Sequence, residues 1–187
     1  MLVDIRRLSV TDYRRLAEVG ILEPDEQVEL IAGQIFQKTV KNPPHSAANK
    51  RIERLLENGL GNTVLIRSQE PITLNDYSEP EPDIAVVEFD PFYYEDQHPT
   101  PDRVSLIIEI SDSTLSRDLD IKAQAYAESE IVEYWVVDLN HRQVYRFRQP
   151  SGTGYQERRI FSEDEMIMPL AFPQAPIAVK AMLPSKK

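Results

Sequence analysis

Residues 105–126, SLIIEISDSTLSRDLDIKAQAY, join an apolar strand pattern to a helical pattern, and each carries a charge where an apolar residue is expected. The first part predicts an interior β-strand that contains Glu109. The second part predicts a helix beginning at Ser116, whose inner face comprises Leu119, Ala123 and Tyr126. Lys122 borders that face. Charged groups in such positions mean either that the strand and helix predictions are mistaken or that these residues belong to a functional site.

The segments around this stretch predict one α/β domain over residues 1–187. SVTDYRRLAEVG (9–20) predicts a capped helix, VELIAGQIFQKTV (28–40) a β-hairpin, and PPHSAANKRIERLLENGLG (43–61) an amphipathic helix. Further strands are predicted at TVLIRSQ, PITL, DIAVVEF, VEYWVVD, VYRFR and YQERRIF. The acidic, aromatic segment DPFYYEDQHPTPD is typical of a surface loop, and the proline-rich C-terminal segment is expected to pack on the body of the domain.

The negative charge of the chain is concentrated in one segment. The net charge is −10, and residues 69–102 contain ten acidic and no basic residues. Residues 38–68 contain six basic and two acidic residues, so they form the basic part of the sequence. This distribution permits a phosphate-bearing partner without indicating one, although the net charge by itself disfavours nucleic acid.

Several classes of protein are excluded by missing features. The sequence has no cysteine, so it has no disulfide and no thiolate chemistry. It has no phosphate-binding loop, no G-x-G-x-x-G, no G-x-S-x-G and no paired-histidine zinc motif. No apolar run approaches the roughly 18 residues that a membrane span needs, and no secretory signal precedes the first helix. We therefore expect a cytoplasmic protein with no membrane partner.

Two acidic residues are candidates for a metal site. Asp83 begins the strand DIAVVEF and Glu109 lies near the end of SLIIEI, so adjacent strands would bring both carboxylates to one edge of the sheet. With the backbone carbonyl of Ile110, they would form an oxygen site suited to Mg²⁺, which keeps several waters and accepts substrate phosphate as a ligand. Alternatively, Asp83 is a turn residue after Pro82, and Glu109 belongs to an ion pair or a frayed strand end.

Lys122 is the third candidate. Its ammonium could face the two carboxylates, where it would orient a water and stabilise charge on a phosphate. It could equally be a lysine that extends from the edge of the buried face towards solvent. His45, at the start of the basic helix, also has two interpretations: it is a surface or capping residue, or it belongs to the site.

The order PEPD, strand, IIEIS and then RDLDIKAQAYAESEIVEYWVVD resembles the PD-(D/E)XK nuclease superfamily, and in particular its Uma-type restriction endonuclease family. The resemblance extends from YRRLAEVG and VELIAGQI through EYWVVD. It implies a restriction-endonuclease-like fold with a mixed central sheet flanked by helices. It also implies that Asp83 and Glu109 bind metal.

The resemblance includes one departure. The usual lysine of the superfamily would stand two residues after the glutamate, where this chain has Ser111. Lys122 is then similar to the migrated lysine of the Uma-type branch. Glu29 matches an acidic residue that the superfamily often contributes from before the core sheet, where it would assist a second metal ion or hold a water network. As an alternative, Glu29 is a polar position in an amphipathic strand.

Together these expectations predict a DNA endonuclease that depends on Mg²⁺ or Mn²⁺. Its predicted catalytic residues are Asp83, Glu109, Lys122 and Glu29. Lys50, Arg51, Arg54 and His45 are the predicted DNA contacts. A homodimer is common among such nucleases. Two alternatives stay open: an accessory DNA-binding module with no turnover, and a hydrolase of a small phosphorylated substrate, which suits the net charge better.

Overall fold

The computed structural model describes residues 5–23 and 25–186. Helix α1 spans Val10–Glu18. It begins with a capping box, in which the Ser9 hydroxyl accepts from the Asp12 amide and the Asp12 carboxylate accepts from the Ser9 amide. The predicted cap of this helix is thus confirmed.

A β-hairpin follows, formed by strands β1 (Val28–Ile31) and β2 (Gln34–Gln37). Its turn residues Ala32 and Gly33 have φ of 50° and 76°. A side chain at Gly33 would also collide with Arg7, because a Cβ atom there would lie 2.4 Å from Arg7 Cβ. Conformation and space therefore both require glycine at this turn.

Helix α2 spans Pro43–Leu60 and is capped by Asn42, whose side chain accepts from the His45 amide. One face, including Ile52 and Leu56, is completely buried against the central sheet. The helix starts beside the candidate site, so its first turn contributes residues to that site.

Six strands form the central sheet, in the order β3-β4-β5-β6-β7-β8. Strands β5 and β6 are parallel and all other neighbours are antiparallel. One-turn 3-10 helices at Gly61–Thr63 and Pro101–Arg103 precede β3 and β5. The strands are β3 (Val64–Arg67), β4 (Ile84–Glu88), β5 (Val104–Ser111), β6 (Glu133–Asp138), β7 (Gln143–Ser151) and β8 (Gly154–Ser162).

The two faces of the sheet carry two separate cores. Alternate residues of β5 point to opposite faces, so Ile108 and Ile110 pack with α2 while Ile107 packs on the other face. By the same alternation, Glu109 and Ser111 share the face of Ile107. That face is covered by the helix after β5.

This helix is broken by a π-helical turn. It consists of α3 (Leu115–Arg117), the π-turn Asp118–Lys122 and α4 (Ala123–Glu128), so it begins one residue earlier than predicted. Asp118 and Lys122 are both buried. Local π-turns are frequent at functional sites because they change which side chains face inward.

The C-terminal segment packs on the α2 face of the sheet. It forms β9 (Met166–Ile167), β10 (Ile177–Ala178) and α5 (Val179–Met182). The predicted strand at PITL is wrong: residues 71–74 lie outside the strands, although Ile72 is completely buried. No helix in residues 5–23 or 25–186 has the length and apolar character needed to cross a membrane.

Candidate active site

The antiparallel pairing of β4 and β5 brings the two predicted carboxylates to one edge of the sheet. Ile84 at the start of β4 pairs with Ile108 near the end of β5. Asp83 directly precedes β4, and Glu109 follows Ile108. The start of one strand therefore lies beside the end of the other, as a shared site requires.

Asp83 is held by four residues, which come from α2, β5 and the loop after β3. Its Oδ2 accepts from the backbone amide of Ile110 at 2.8 Å and lies 3.2 Å from His45 Nε2. Asn49 donates to its backbone carbonyl, and Gln69 makes a longer 3.4 Å contact to Oδ1. Burial acts to raise the pKa of Asp83, but the contacts with His45 and the Ile110 amide outweigh burial and lower it.

Glu109 contacts Lys122, and Lys122 contacts Glu29. Lys122 Nζ lies 2.8 Å from Glu109 Oε1 and 3.0 Å from Glu29 Oε2, and all three side chains are buried. Tyr126 also donates to Glu109 Oε1, at 2.8 Å. The backbone amide of Glu81 donates to Glu29 Oε2. One ammonium thus joins a carboxylate of the sheet to a carboxylate of the hairpin.

Burial and charge act in opposite directions on this pair. Burial by itself lowers the pKa of Lys122, but the charges of Glu109 and Glu29 hold that pKa well above its usual value. Burial raises the pKa of Glu109, and the ammonium of Lys122 opposes the rise. Because Lys122 faces two carboxylates, we take its protonated form as the stable one at neutral pH.

Ser111 is part of a hydrogen-bonded group that the sequence did not reveal. The Ser111 hydroxyl donates to the buried carboxylate of Asp118, and Thr114 donates to the same oxygen at 2.6 Å. Burial raises the pKa of Asp118, and Lys122 opposes this. Asp118 precedes Lys122 by one helical turn, so its position on the same helix face was the available signal.

Each of the two predicted metal ligands has one carboxylate oxygen left over. Both hydrogen bonds to Glu109 end on Oε1, so Oε2 is not engaged by the described residues. Asp83 uses Oδ2 for its short contacts and leaves Oδ1 with the long contact from Gln69. This pair of oxygens fits a hard cation that takes few protein ligands.

No cluster of three or more His, Asp or Glu residues with metal-binding geometry occurs in the described ranges. Carboxylates are hard oxygen donors, so Asp83 and Glu109 are of the type that fits a cation which keeps much of its water, such as Mg²⁺. Glu29 is bonded to Lys122 through Oε2, while its Oε1 is buried with no partner in the described residues.

The oxygens face a cleft of about 80 Å³. Its wall is formed by the carboxylates of Glu29, Glu81, Asp83, Glu109, Asp112 and Asp118 together with Lys38, Lys41, His45, Arg117 and Lys122. His45 is thus at the centre, in contact with Asp83. The other predicted DNA contacts, Lys50, Arg51 and Arg54, do not line the cleft.

Comparisons with known proteins identify the family of this chain. The Uma2 family model, described as "Putative restriction endonuclease", matches residues 10–180. The chain belongs to the Uma2 family. The matched range includes every candidate residue of the cleft.

A solved structure shares the fold of this Uma2 protein. It is described as "a putative nuclease belonging to DUF820" from Anabaena variabilis ATCC 29413. The superposition has a TM-score of 0.71 with 18% identity and covers 94% of this chain and 97% of the other. No curated protein matches the sequence. The predicted family and restriction-endonuclease-like fold are confirmed.

Proposed function

We propose that this Uma2 protein is a DNA endonuclease that hydrolyses phosphodiester bonds with Mg²⁺ or Mn²⁺. The observation that carries the proposal is the Glu109–Lys122 contact of 2.8 Å beside Asp83, in one cleft. Family membership supports nucleic acid as the substrate. A carboxylate pair next to a buried ammonium is the donor set that phosphodiester hydrolysis needs.

Asp83 and Glu109 hold the cation in this proposal, through Asp83 Oδ1 and Glu109 Oε2. The Ile110 carbonyl is the third ligand. The Ser111 carbonyl accepts from the Leu139 amide on the β6 side, and the backbone groups of successive strand residues face opposite neighbours. The amide and carbonyl of Ile110 therefore face the β4 side, where Asp83 lies. A bound Mg²⁺ supplies Lewis-acid activation of water and neutralises phosphate charge. The contacts of His45 and Ile110 with Oδ2 fix the orientation of Asp83.

Lys122 positions the attacking water or stabilises the charge of the phosphate. Its ammonium is fixed by Glu29 on one side and Glu109 on the other. Glu29 therefore acts as a positioning residue for Lys122. A divalent cation bound by Asp83 and Glu109 would also offset carboxylate charge in the cleft.

Plasmid nicking at low salt tests the proposal. Wild type is expected to convert supercoiled plasmid to open-circular and linear forms with Mg²⁺ or Mn²⁺ and to leave it intact with EDTA. Asp83→Asn, Glu109→Gln and Lys122→Met are expected to lose cleavage by about 10²-fold or more. Glu53→Gln, on the outer side of α2, is the matched acidic control and keeps wild-type cleavage.

The outcome also separates the alternatives. DNA binding without cleavage by wild type in any divalent cation would contradict the endonuclease proposal and favour an accessory module. Release of phosphate from small phosphate esters, with no DNA binding, would favour a small-molecule hydrolase. Loss of cleavage in Asp83→Asn and Glu109→Gln but not in Lys122→Met would reject only the role of Lys122 and keep the two metal ligands.

A further inference from the structure

Lys41 and Arg117 are the two long cationic side chains of the cleft that pair with no carboxylate in the described residues. Lys38 is bound to Glu81, and Lys122 to Glu109 and Glu29. Cations that line a cleft without an acidic partner are available to an anionic ligand.

Lys41 is held in place while its ammonium has no partner. It lies in the connection between β2 and α2, which is fixed at both ends: the Lys38 amide donates to the Gln27 carbonyl at 2.8 Å, and Asn42 caps α2 and bonds to Asp112. The side chain is half-buried. Burial and the neighbouring Lys38 lower the pKa of Lys41, although the carboxylates of Asp83, Glu81 and Glu109 oppose the fall.

The start of α2 cannot bind an anion with its backbone. The first two helical residues are Pro43 and Pro44, which have no N–H group. The next two amides are satisfied, since His45 donates to the Asn42 side chain and Ser46 to the Asn42 carbonyl. An anion at this end of the cleft must therefore be bound by a side chain, and Lys41 directly precedes the cap.

Arg117 stands where the cleft opens into a second groove. This groove has a volume of about 440 Å³ and shares Thr39, Ser113, Thr114 and Arg117 with the cleft. The guanidinium donates once, to the Gln37 carbonyl at 2.8 Å, and its Nε is buried with no partner in the described residues. The groove is otherwise lined by hydroxyl-bearing residues, including Ser116, and by Asp120 and Ile121.

The residue that directly precedes Lys41 exposes an apolar side chain. Val40 is 98% exposed and lines the cleft. Two cations, hydroxyl donors and an apolar side chain along the cleft and the groove match the parts of a nucleic-acid strand, namely phosphate, sugar and base.

We infer that Lys41 and Arg117 bind two backbone phosphates of a nucleic-acid strand that runs from the cleft into the adjoining groove. The inference rests on the proposed function and assigns its substrate path. The outer face of α2 is then not the binding surface. There Lys50 is paired with Glu53, and Arg51 donates to the Leu183 carbonyl.

Binding of a labelled DNA duplex, followed by fluorescence anisotropy in Ca²⁺ over a series of salt concentrations, tests this path. Lys41→Gln and Arg117→Gln are each expected to weaken binding by about tenfold and to reduce the salt slope by about one. Lys41→Arg and Arg117→Lys keep the charge and should restore the slope. Lys50→Gln and Arg54→Gln are the matched controls, and they should change the dissociation constant less than about twofold.

Unchanged binding in both glutamine variants, equal losses in the α2 controls, or no DNA binding by wild type would each overturn the inference. Thermal unfolding shows whether a variant folds. If Arg117→Gln unfolds because it loses the Gln37 contact, Lys41→Gln decides. If the variants bind as expected but wild type never cleaves plasmid, the endonuclease proposal is wrong and the assignment of Lys41 and Arg117 as phosphate contacts is kept. If wild type cleaves plasmid but both glutamine variants bind DNA normally, only that assignment is wrong.

Discussion

Lys122 Nζ lies 2.8 Å from Glu109 Oε1, although the lysine belongs to a π-helical turn and the glutamate to a strand of the central sheet. The contact is buried, with each side chain only 5% exposed, and Glu29 lies 3.0 Å from the ammonium. A buried ion pair contributes little net stability compared with an apolar replacement, but removing one partner strongly lowers the free energy of unfolding. Its presence at this sheet edge therefore suits a function more than a requirement for stability.

Lys122→Met is expected to lower the free energy of unfolding by about 3–5 kcal/mol, because Glu109 and Glu29 would remain buried without a cation. Urea denaturation at neutral pH measures the change. Lys50→Met is the matched control, since Lys50 is exposed and paired with Glu53, and it should cost less than about 1 kcal/mol. Equal losses in the two variants would contradict the buried pairing.

Mg²⁺ is expected to stabilise the folded protein through Asp83 and Glu109. At a concentration 100 times the dissociation constant, binding to the folded state alone contributes about 2.7 kcal/mol. For a chain of this length each kcal/mol raises Tm by roughly 2–4 °C. Thermal unfolding with and without Mg²⁺ measures the shift, which should disappear in Asp83→Asn and Glu109→Gln and persist in Glu53→Gln. A full shift in the first two variants would place the ion elsewhere.

The local patterns were sufficient to predict most of the elements that hold the site. The alternation in VELIAGQI predicted the hairpin. The prolines at its start and the spacing of its leucines predicted α2, and the apolar run of SLIIEI predicted β5. These signals are local, because each depends on the periodicity of a single element. Glu109 was recognisable for the same reason: it is a carboxylate inside an otherwise apolar strand.

The contacts between elements were not predictable from such patterns. A helical wheel drawn at 100° per residue treats the helix as regular. The π-turn instead buries Asp118 and Lys122 together and leaves Leu119 only partly buried. The contact between His45 and Asp83 depends on the packing of α2 beside β4. Likewise, PITL has a strand composition but no strand partner, so Ile72 is buried without joining the sheet.

Alkaline pH is expected to destabilise the fold through its tyrosines. Burial raises the pKa of Tyr134 and Tyr155 above the ordinary 10.0, and burial with nearby carboxylates raises the pKa of Tyr13 to about 12. Above pH 10 the unfolded chain loses phenolic protons that the folded chain keeps. Stability is therefore fully present below pH 10 and is lost as pH rises above it, by about 1.4 kcal/mol per unit for each of Tyr134 and Tyr155 and by less for the half-exposed Tyr13.

Phenolate absorbance measured against pH, with and without urea, checks this prediction. The folded protein should titrate incompletely at a pH where the unfolded chain is fully ionised. Tyr155→Phe removes one hydroxyl, which donates to the Ile131 carbonyl at 2.8 Å, and should make the loss of stability with pH less steep. A folded chain whose tyrosines all titrate near 10 would contradict the burial of these rings.

Moving the lysine back to the strand tests whether Lys122 takes the place that Ser111 leaves. Ser111 and Glu109 share one face of β5, and Ser111 is tied to the π-turn through Asp118. Ser111→Lys alone should cost about 1–3 kcal/mol, because it adds volume and a second ammonium to a packed site. Lys122→Ser alone should leave both glutamates unpaired and abolish cleavage.

In the double variant, Ser111→Lys with Lys122→Ser, one ammonium again faces Glu109. The double-mutant cycle should therefore give a favourable coupling of about 0.5–3 kcal/mol, with some plasmid cleavage restored. Urea denaturation of the four proteins gives the coupling, and the nicking assay gives the activity. Additive losses with no recovery of cleavage would mean that residues 111 and 122 do not present their side chains to the same carboxylate. The position of Lys122 would then be specific to the π-turn and not a relocation of the strand lysine.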